Sequence, residues 1–280
     1  CCSPPDALIG SEQTMPQQYG TVEHVEHLSP SMVRVVFSGP GLDEFEPTGF
    51  TDQYVNARFV PEGAPYGVPF DDDEVGELAT ELRPRARRYT VRRWEPGERR
   101  LTIDFVVHGD DGYAGRWAQR ARIGDRLAMS GPTGGYRPDP DAAWYLMAGD
   151  ESALPAIAAS LATLTPTAQG VALVVVDRPE NEIPVERPAA VDVRWLHRCT
   201  AADPEALLLD EVRHLDWPDG GVDVFVHGEA AEVRAVRRYL VGRGVDRTTA
   251  SISPYWRRGQ TDEAWREIKR QWLAEQDADV

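Results

Sequence analysis

Hydrophobic and polar positions along the chain follow two rhythms. Over residues 19–28, 31–38, 53–60, 87–94 and 100–108, β-branched and aromatic residues partly alternate with polar ones, with Gly and Pro between the runs. That pattern predicts short strands. The connection 61–86 is rich in Pro, Gly and Asp, with a short helix predicted near Glu74–Leu82. A helical stretch is expected at Arg116–Arg122, and IGDRLAMSGPTGGY adds one more strand. Strands this short with turn signals between them predict a small antiparallel barrel.

The rhythm changes after about residue 140. WYLMAG (144–149) is an apolar strand, and Leu154, Ile157, Ala158, Leu161 and Leu164 recur at helical spacing behind it. VALVVV (171–176) is continuously apolar, as in a parallel strand covered on both faces. Strand 191–196, helix 204–214, strand 222–227, helix 229–241 and strand 248–252 complete the alternation. It predicts a doubly wound α/β unit. A last helix, 261–275, places Trp265, Ile268 and Trp272 on one face. The expected organisation is a disordered extension over 1–14, a β-barrel domain over 15–140 and an α/β domain over 141–280, joined near Pro138–Ala143.

Composition narrows the functional classes. Of 280 residues, 46 are acidic and 30 basic, a formal charge of -16. Nucleic acid and anionic membranes are poor partners for such a chain. No run approaches the roughly 20 apolar residues of a membrane span, and the first residues lack a secretory signal. Three cysteines exclude a disulfide framework and a four-cysteine cluster, and the six histidines show no metal-ligand spacing. The expectation is a cytoplasmic monomer whose redox chemistry, if any, uses an organic cofactor.

Five segments carry candidate chemistry. RRYT (87–90) opens a strand, where Arg87 suits a pyrophosphate, Tyr89 a flat ring and Thr90 the ring nitrogens; the plain alternative is a barrel strand with surface arginines. DFVVHG (104–109) leads into DDGYAGRWAQRA, a strand, Gly turn and helix start of the kind that cradles phosphate. His108 and Trp117 would otherwise be a strand-end histidine and a core aromatic. AGDESALPAI (148–157) places Gly149 at a strand-to-helix turn, where Asp150 or Ser152 equally suits a helix cap. HGEA sets Gly228 and Glu229 at a second strand end. PYWRRG (254–259) offers Tyr255 and Trp256 to cover a ring and Arg257 with Arg258 as a basic pair, or else a solvated loop.

Taken together and in this order, RRYT, DFVVHG, GYAGRWA, GDESALPAI, HGEA and YWRRG resemble the signature of the siderophore-interacting protein family, from about residue 19 onward. The resemblance implies a ferredoxin-reductase-like pair of domains: an FAD-binding barrel and an NAD(P)H-binding α/β domain that together reduce ferric siderophores. By the same resemblance, Arg87, Tyr89 and Thr90 hold the flavin and its phosphates. Asp104, Val107 and His108 line its ribityl and ring side, and Gly115, Trp117 and Ala118 lie at the pyrophosphate. Gly149, Asp150, Glu151, Ser152 and Ala153, with Gly228 and Glu229, frame the nicotinamide nucleotide. Two positions depart from the family. Gly112-Tyr113-Ala114 stands where Gly-Pro-Ala is usual, and Asn56 where a lysine is frequent. That lysine belongs to the chelate-facing basic groups, so Arg58 compensates only if the strand register allows; Arg137, Arg257 and Arg258 are the other candidates.

After the strand 171–176, Asp177, Glu180 and Glu182 outnumber Arg178, which favours NADH over NADPH. Three alternatives stay open: a general NAD(P)H-flavin reductase or electron-transfer flavoprotein, a non-enzymatic ferric-siderophore binding module, and ferredoxin as donor. The chain's charge disfavours an acidic ferredoxin.

Overall fold

The computed structural model describes residues 17–107, 112–246 and 249–278, with side chains through Ala274 in the last helix. Six strands close a barrel: β1 (Tyr19–Ser29), β2 (Met32–Ser38), β3 (Tyr54–Phe59), β4 (Arg85–Glu95), β5 (Arg100–Val106) and β6 (Arg126–Thr133), in the order β1-β2-β5-β4-β3-β6. All neighbouring pairs are antiparallel. Alternation drives the closure. Val55, Ala57 and Phe59 of β3, with Leu101, Ile103 and Phe105 of β5, point inward and are almost fully buried. The helix expected near Glu74–Leu82 is instead α1 (Asp72–Gly76), capped by Asp71, and a separate 3-10 turn at Thr80–Leu82. α2 (Tyr113–Arg120) starts earlier than its expected bounds. Its Gly115 lies against the end of β5, where a Cβ would stand at van der Waals distance from Val106 O and Val107 Cα, 3.4 Å each.

The second unit is a parallel five-stranded sheet built from β7 (Trp144–Asp150), β8 (Gly170–Val176), β9 (Val191–His197), β10 (Val222–Glu229) and β11 (Ser251–Trp256). Between its strands run α3 (Leu154–Leu161), α4 (Leu207–Arg213) and α5 (Ala230–Gly242). The strand order is β11-β10-β7-β8-β9, so connections run one way from β7 through β8 to β9 and the other way from β10 to β11. The reversal opens a crevice beyond the carboxyl ends of β7 and β10, where open α/β sheets bind ligands. Tyr255 and Trp256, read from sequence as loop residues, belong to β11. Pro254 is tolerated there because β11 is an edge strand.

The two units share a core. Met32 of the barrel and Tyr136 of the connection pack in one cluster with Met147, Ile157, Val174 and Phe225. Tyr136 also donates from its hydroxyl to Asp223 at 3.0 Å, and Ser160 donates to Thr51 across the seam at 2.7 Å. The last helix, α6 (Asp262–Ala278), buries Trp265 and Trp272, whose rings meet edge to face at 5.4 Å. Ile268, expected on that face, is exposed, and Lys269 takes the inward position instead. Among the described residues no helix is long and apolar enough to cross a membrane.

Candidate functional site

A cavity of about 650 Å³ lies on the seam between barrel and sheet. Its size falls within the roughly 300–1,000 Å³ of cofactor pockets. One wall is β4, with Arg87, Tyr89 and Thr90, backed by Asp104 of β5 and the start of α2 at Gly112–Gly115. The facing wall is the switch-point edge of the sheet, with Ser152, His227, Ser251, Ser253, Tyr255 and Trp256. α6 closes the third side with Asp262, Trp265, Arg266 and Lys269.

Each wall has a local physical cause. The pleat of β4 sends Arg87 and Tyr89 to one face. Tyr89 packs against Phe105 with ring centroids 4.5 Å apart, and burial pushes its phenol well above the ordinary range. Arg87 donates to Glu263 at 2.7 Å and lies 3.5 Å from Asp262. Asp104 is nearly fully buried and accepts two bonds from Arg34, at 2.7 and 2.8 Å. This bidentate pair offsets the cost of a buried carboxylate, so Asp104 fixes the wall.

On the sheet side, Asp150 ties three strand ends together. Its Oδ2 accepts from Glu229 N at 2.9 Å and Trp256 Nε1 at 2.7 Å, and its Oδ1 accepts from Ser152 N at 2.9 Å. Glu229 caps α5 by accepting from Ala231 N and Glu232 N, and its other oxygen accepts from Arg258 N at 3.0 Å. Both carboxylates are organisers of backbone. Gly149 has no room for a side chain, because a Cβ would stand 2.2 Å from His227 O. Gly228 has φ 139, and a Cβ there would lie 2.8 Å from Asp150 Oδ2.

His227 is buried between Phe225 and Tyr255, with ring centroids 4.1 and 4.7 Å away, and its Nε2 lies 2.9 Å from Ser251 Oγ. Burial pushes its pKa down to about 3, so the ring is neutral at ordinary pH. Its Nδ1 and the indole Nε1 of Trp265 are buried without a hydrogen-bond partner among the described residues. Two unsatisfied polar atoms on the walls of one cavity suit a polar aromatic ligand.

The structure therefore brings Arg87, Tyr89, Thr90, Asp104, Gly115, Ser152 and Trp256 to one cavity. Gly149, Asp150, Ala153, Gly228 and Glu229 sit behind its sheet wall as supports. Trp117 is half-buried and packs on Phe37, Phe59 and Phe105 against the barrel core, where Ala118 and Val107 are buried. His108 and Gly109 lie outside the described residues. Arg58 is paired with Asp72 and sits 4.7 Å over Phe70, and Arg258 pairs with Glu205 and Glu232. Asn56 shares the outward face of β3 with Arg58. Sequence reasoning missed the inward residues of α6, whose docking partner no local pattern reveals.

Glu151 turns away from the cavity into the seam. It accepts a short hydrogen bond from Ser31 of the barrel, and Asn181 Nδ2 donates to Ser31 Oγ at 2.6 Å. Burial pushes the Glu151 carboxyl up to about 7, against an ordinary 4.5. The native state then holds this proton more tightly than the unfolded chain. Its contribution to stability is present below about pH 4.5 and is lost as pH rises to about 7. At about 1.4 kcal/mol per unit the total is roughly 3 kcal/mol. Glu151→Gln should flatten this component, which urea unfolding of both proteins at pH 5 and pH 8 would measure. An unchanged pH slope in the variant would refute the assignment.

The siderophore-interacting FAD-binding domain matches residues 21–136 and the siderophore-interacting protein domain residues 142–259. The chain belongs to the siderophore-interacting protein family. An uncharacterised protein of Mycobacterium tuberculosis is 44% identical over 266 residues, covering 90% of this chain and 94% of the relative. The ferric vibriobactin reductase ViuB of Vibrio cholerae is 33% identical over 253 residues, covering 86% and 90%. The crystal structure of a siderophore utilization protein from T. fusca superposes with a TM-score of 0.77 at 34% identity, covering 88% of this chain and 94% of that one. The fold is thus ferredoxin-reductase-like, the barrel is an FAD-binding domain, and the family role is that of a siderophore-interacting oxidoreductase.

Proposed function

We propose that this protein is an NAD(P)H-dependent ferric-siderophore reductase that works through FAD in the cytoplasm as a monomer, with NADH as the favoured donor. The observation that carries this reading is the shared cavity. One chamber joins a cationic and aromatic barrel wall to the switch-point edge of a nucleotide-type sheet.

Arg87 supplies the cation for the pyrophosphate, Thr90 a hydroxyl and Tyr89 an aromatic wall for the ring. Neutral His227 and the Trp265 indole offer unpaired polar atoms. Asp150 and Glu229 hold the loops at the ends of β7, β10 and β11. When bound, FAD supplies hydride acceptance from a nicotinamide nucleotide and one-electron delivery to Fe(III). The ferric ion is the harder acid, so its reduction loosens an anionic oxygen chelate and frees the metal. NADH is favoured because the β8 end exposes Asp177 and Glu180, which suit ribose hydroxyls and repel a 2′-phosphate.

The test is steady-state turnover of the FAD-loaded protein with a ferrous trap. NADH and a ferric siderophore should give Fe(II), with NADPH slower. Reduction of free flavin without reduction of the chelate would replace this reading with the flavin-reductase one. Chelate binding by a protein that takes up no flavin would favour a binding module.

Of the arginines expected to meet the chelate, Arg137 and Arg257 have no carboxylate within ion-pair distance among the described residues. Arg257→Ala should raise KM for an anionic ferric chelate by about 3- to 10-fold with kcat little changed, the effect shrinking in salt. A neutral ferric chelate should show no such rise.

A further inference from the structure

Asp104, on the barrel wall of the cavity, stands beside two arginines. Arg34 holds it with two hydrogen bonds, at 2.7 and 2.8 Å, which neutralise the carboxylate. The second arginine is Arg92. Its Nε lies 4.0 Å from Asp104 Oδ2, beyond hydrogen-bond reach, and is buried without a partner among the described residues. Only 13% of the Arg92 side chain is exposed. The two guanidiniums respond in opposite directions. The hydrogen bonds to Asp104 push the pKa of Arg34 up, whereas burial pushes that of Arg92 down. Both stay protonated at ordinary pH.

A local irregularity of β4 places Arg92. Val91 pairs with Ile103 and Arg93 with Thr102, so Arg92 is the extra residue of a β-bulge. Bulges re-aim a side chain and recur beside active sites. The other acids that act on the two arginines are Glu26 and Glu186. Glu26 is exposed on β1, and Glu186 is 77% exposed and lies 3.9 Å from Arg93. Solvent screens charges placed like these. The buried balance is therefore two cations to one carboxylate, in a chain of net charge -16.

From these observations we infer that Arg92 sets the reduction potential of the bound flavin, its uncompensated charge favouring the ring once the ring carries negative charge. The inference rests on the FAD reading of the cavity given above. Hydride transfer moves two electrons and one proton from the nicotinamide to the flavin, so the flavin ring system gains one negative charge. Charge near the ring nitrogens is a lever that proteins use to tune a flavin. Thr90, two residues before Arg92 on β4, and Asp104 both line the cavity. Arg92 acts from behind this lining, through a field that a buried wall screens little. The competing role is a clamp between the domains through Glu186. A clamp changes stability, but it does not discriminate oxidised from reduced flavin.

The experiment measures the midpoint potential of FAD on the wild type and on the Arg92→Gln, Arg92→Lys, Arg93→Gln and Asp104→Asn variants, by anaerobic titration against reference dyes at one pH. Arg92→Gln should weaken the binding of reduced relative to oxidised FAD by about tenfold, which lowers the two-electron potential by about 30 mV. Arg92→Lys keeps the charge and should stay near the wild type. Arg93→Gln makes the same change of charge one residue along, at an exposed side chain, and should leave the potential where it is. Asp104→Asn removes the offsetting carboxylate and should raise the potential, so it carries the test if Arg92→Gln does not fold. An Arg92→Gln protein with wild-type potential overturns the inference. So does an equal fall in Arg92→Gln and Arg93→Gln, an equal fall in Arg92→Gln and Arg92→Lys, or an Asp104→Asn potential that fails to rise. Lowered stability with an unchanged potential would assign Arg92 to the clamp. Each of these outcomes leaves FAD bound and the FAD reading standing. Wild-type protein that takes up no FAD overturns that reading and the inference with it.

Discussion

Arg87→Ala should weaken FAD binding by roughly 100-fold and yield protein that purifies nearly colourless. A charge-assisted hydrogen bond to a phosphate is worth about 1.5–3 kcal/mol, and the upper end of that range is roughly 100-fold in affinity. Arg87 stands at the middle of the barrel wall, and its Nη1 donates to the Ala86 carbonyl at 2.9 Å, which fixes its direction. The same nitrogen donates to Glu263 of α6 at 2.7 Å. Phosphate binding here exchanges a carboxylate for a phosphate oxygen. Glu263→Gln should therefore tighten FAD binding a few-fold, the opposite sign. Equilibrium titration of both variants decides the matter, and an Arg87→Ala protein that keeps wild-type affinity would remove Arg87 from the cofactor site.

Gly149→Ala should cost about 3 kcal/mol of stability, near the upper end for overpacking a core. The added Cβ would meet His227 O at 2.2 Å and Ala153 Cβ at 2.7 Å. Neither neighbour can step aside. His227 and Gly149 are register partners in the β7–β10 ladder, and Ala153 begins the turn that Asp150 organises. For a protein of this size the loss is roughly a 6–12 °C fall in melting temperature. Gly97→Ala, where nothing lies within 4 Å of the new carbon, is the matched control and should be close to neutral. A Gly149→Ala protein that melts with the wild type would mean that the strands part easily at the switch point.

These two residues show what the amino-acid sequence makes readable and what it hides. Arg87 lies within β4 and Gly149 near the end of β7, in segments whose alternation and apolar run are local properties, so their places in barrel and sheet follow from pattern alone. Glu151 belongs to the same short motif as Gly149, yet its carboxyl faces Ser31, 120 residues away. No spacing rule reports which side of a turn a carboxylate takes. α6 is legible as an amphipathic helix, but its register depends on what it covers. Lys269 turns inward to donate to Pro254 O at 2.6 Å, leaving Ile268 in solvent. PYWRRG leaves a solvated loop open as an alternative, whereas Tyr255 and Trp256 belong to the edge strand β11, and only the assembled sheet reveals an edge. Trp117, placed at the pyrophosphate by the family resemblance, packs half-buried against Phe37, Phe59 and Phe105, contacts across the barrel that its motif does not report.

The central claim is that the seam cavity holds FAD and that electrons pass through it from a nicotinamide nucleotide to a ferric chelate. The measurement that tests it most directly is the visible spectrum of the FAD-loaded protein under anaerobic conditions. NADH is added first, then a ferric siderophore with a ferrous trap. The flavin bands should bleach with NADH and return with the chelate while the trap colours. A protein that shows no flavin band after incubation with FAD, or whose bleached bands stay bleached when the ferric chelate is added, would contradict the account.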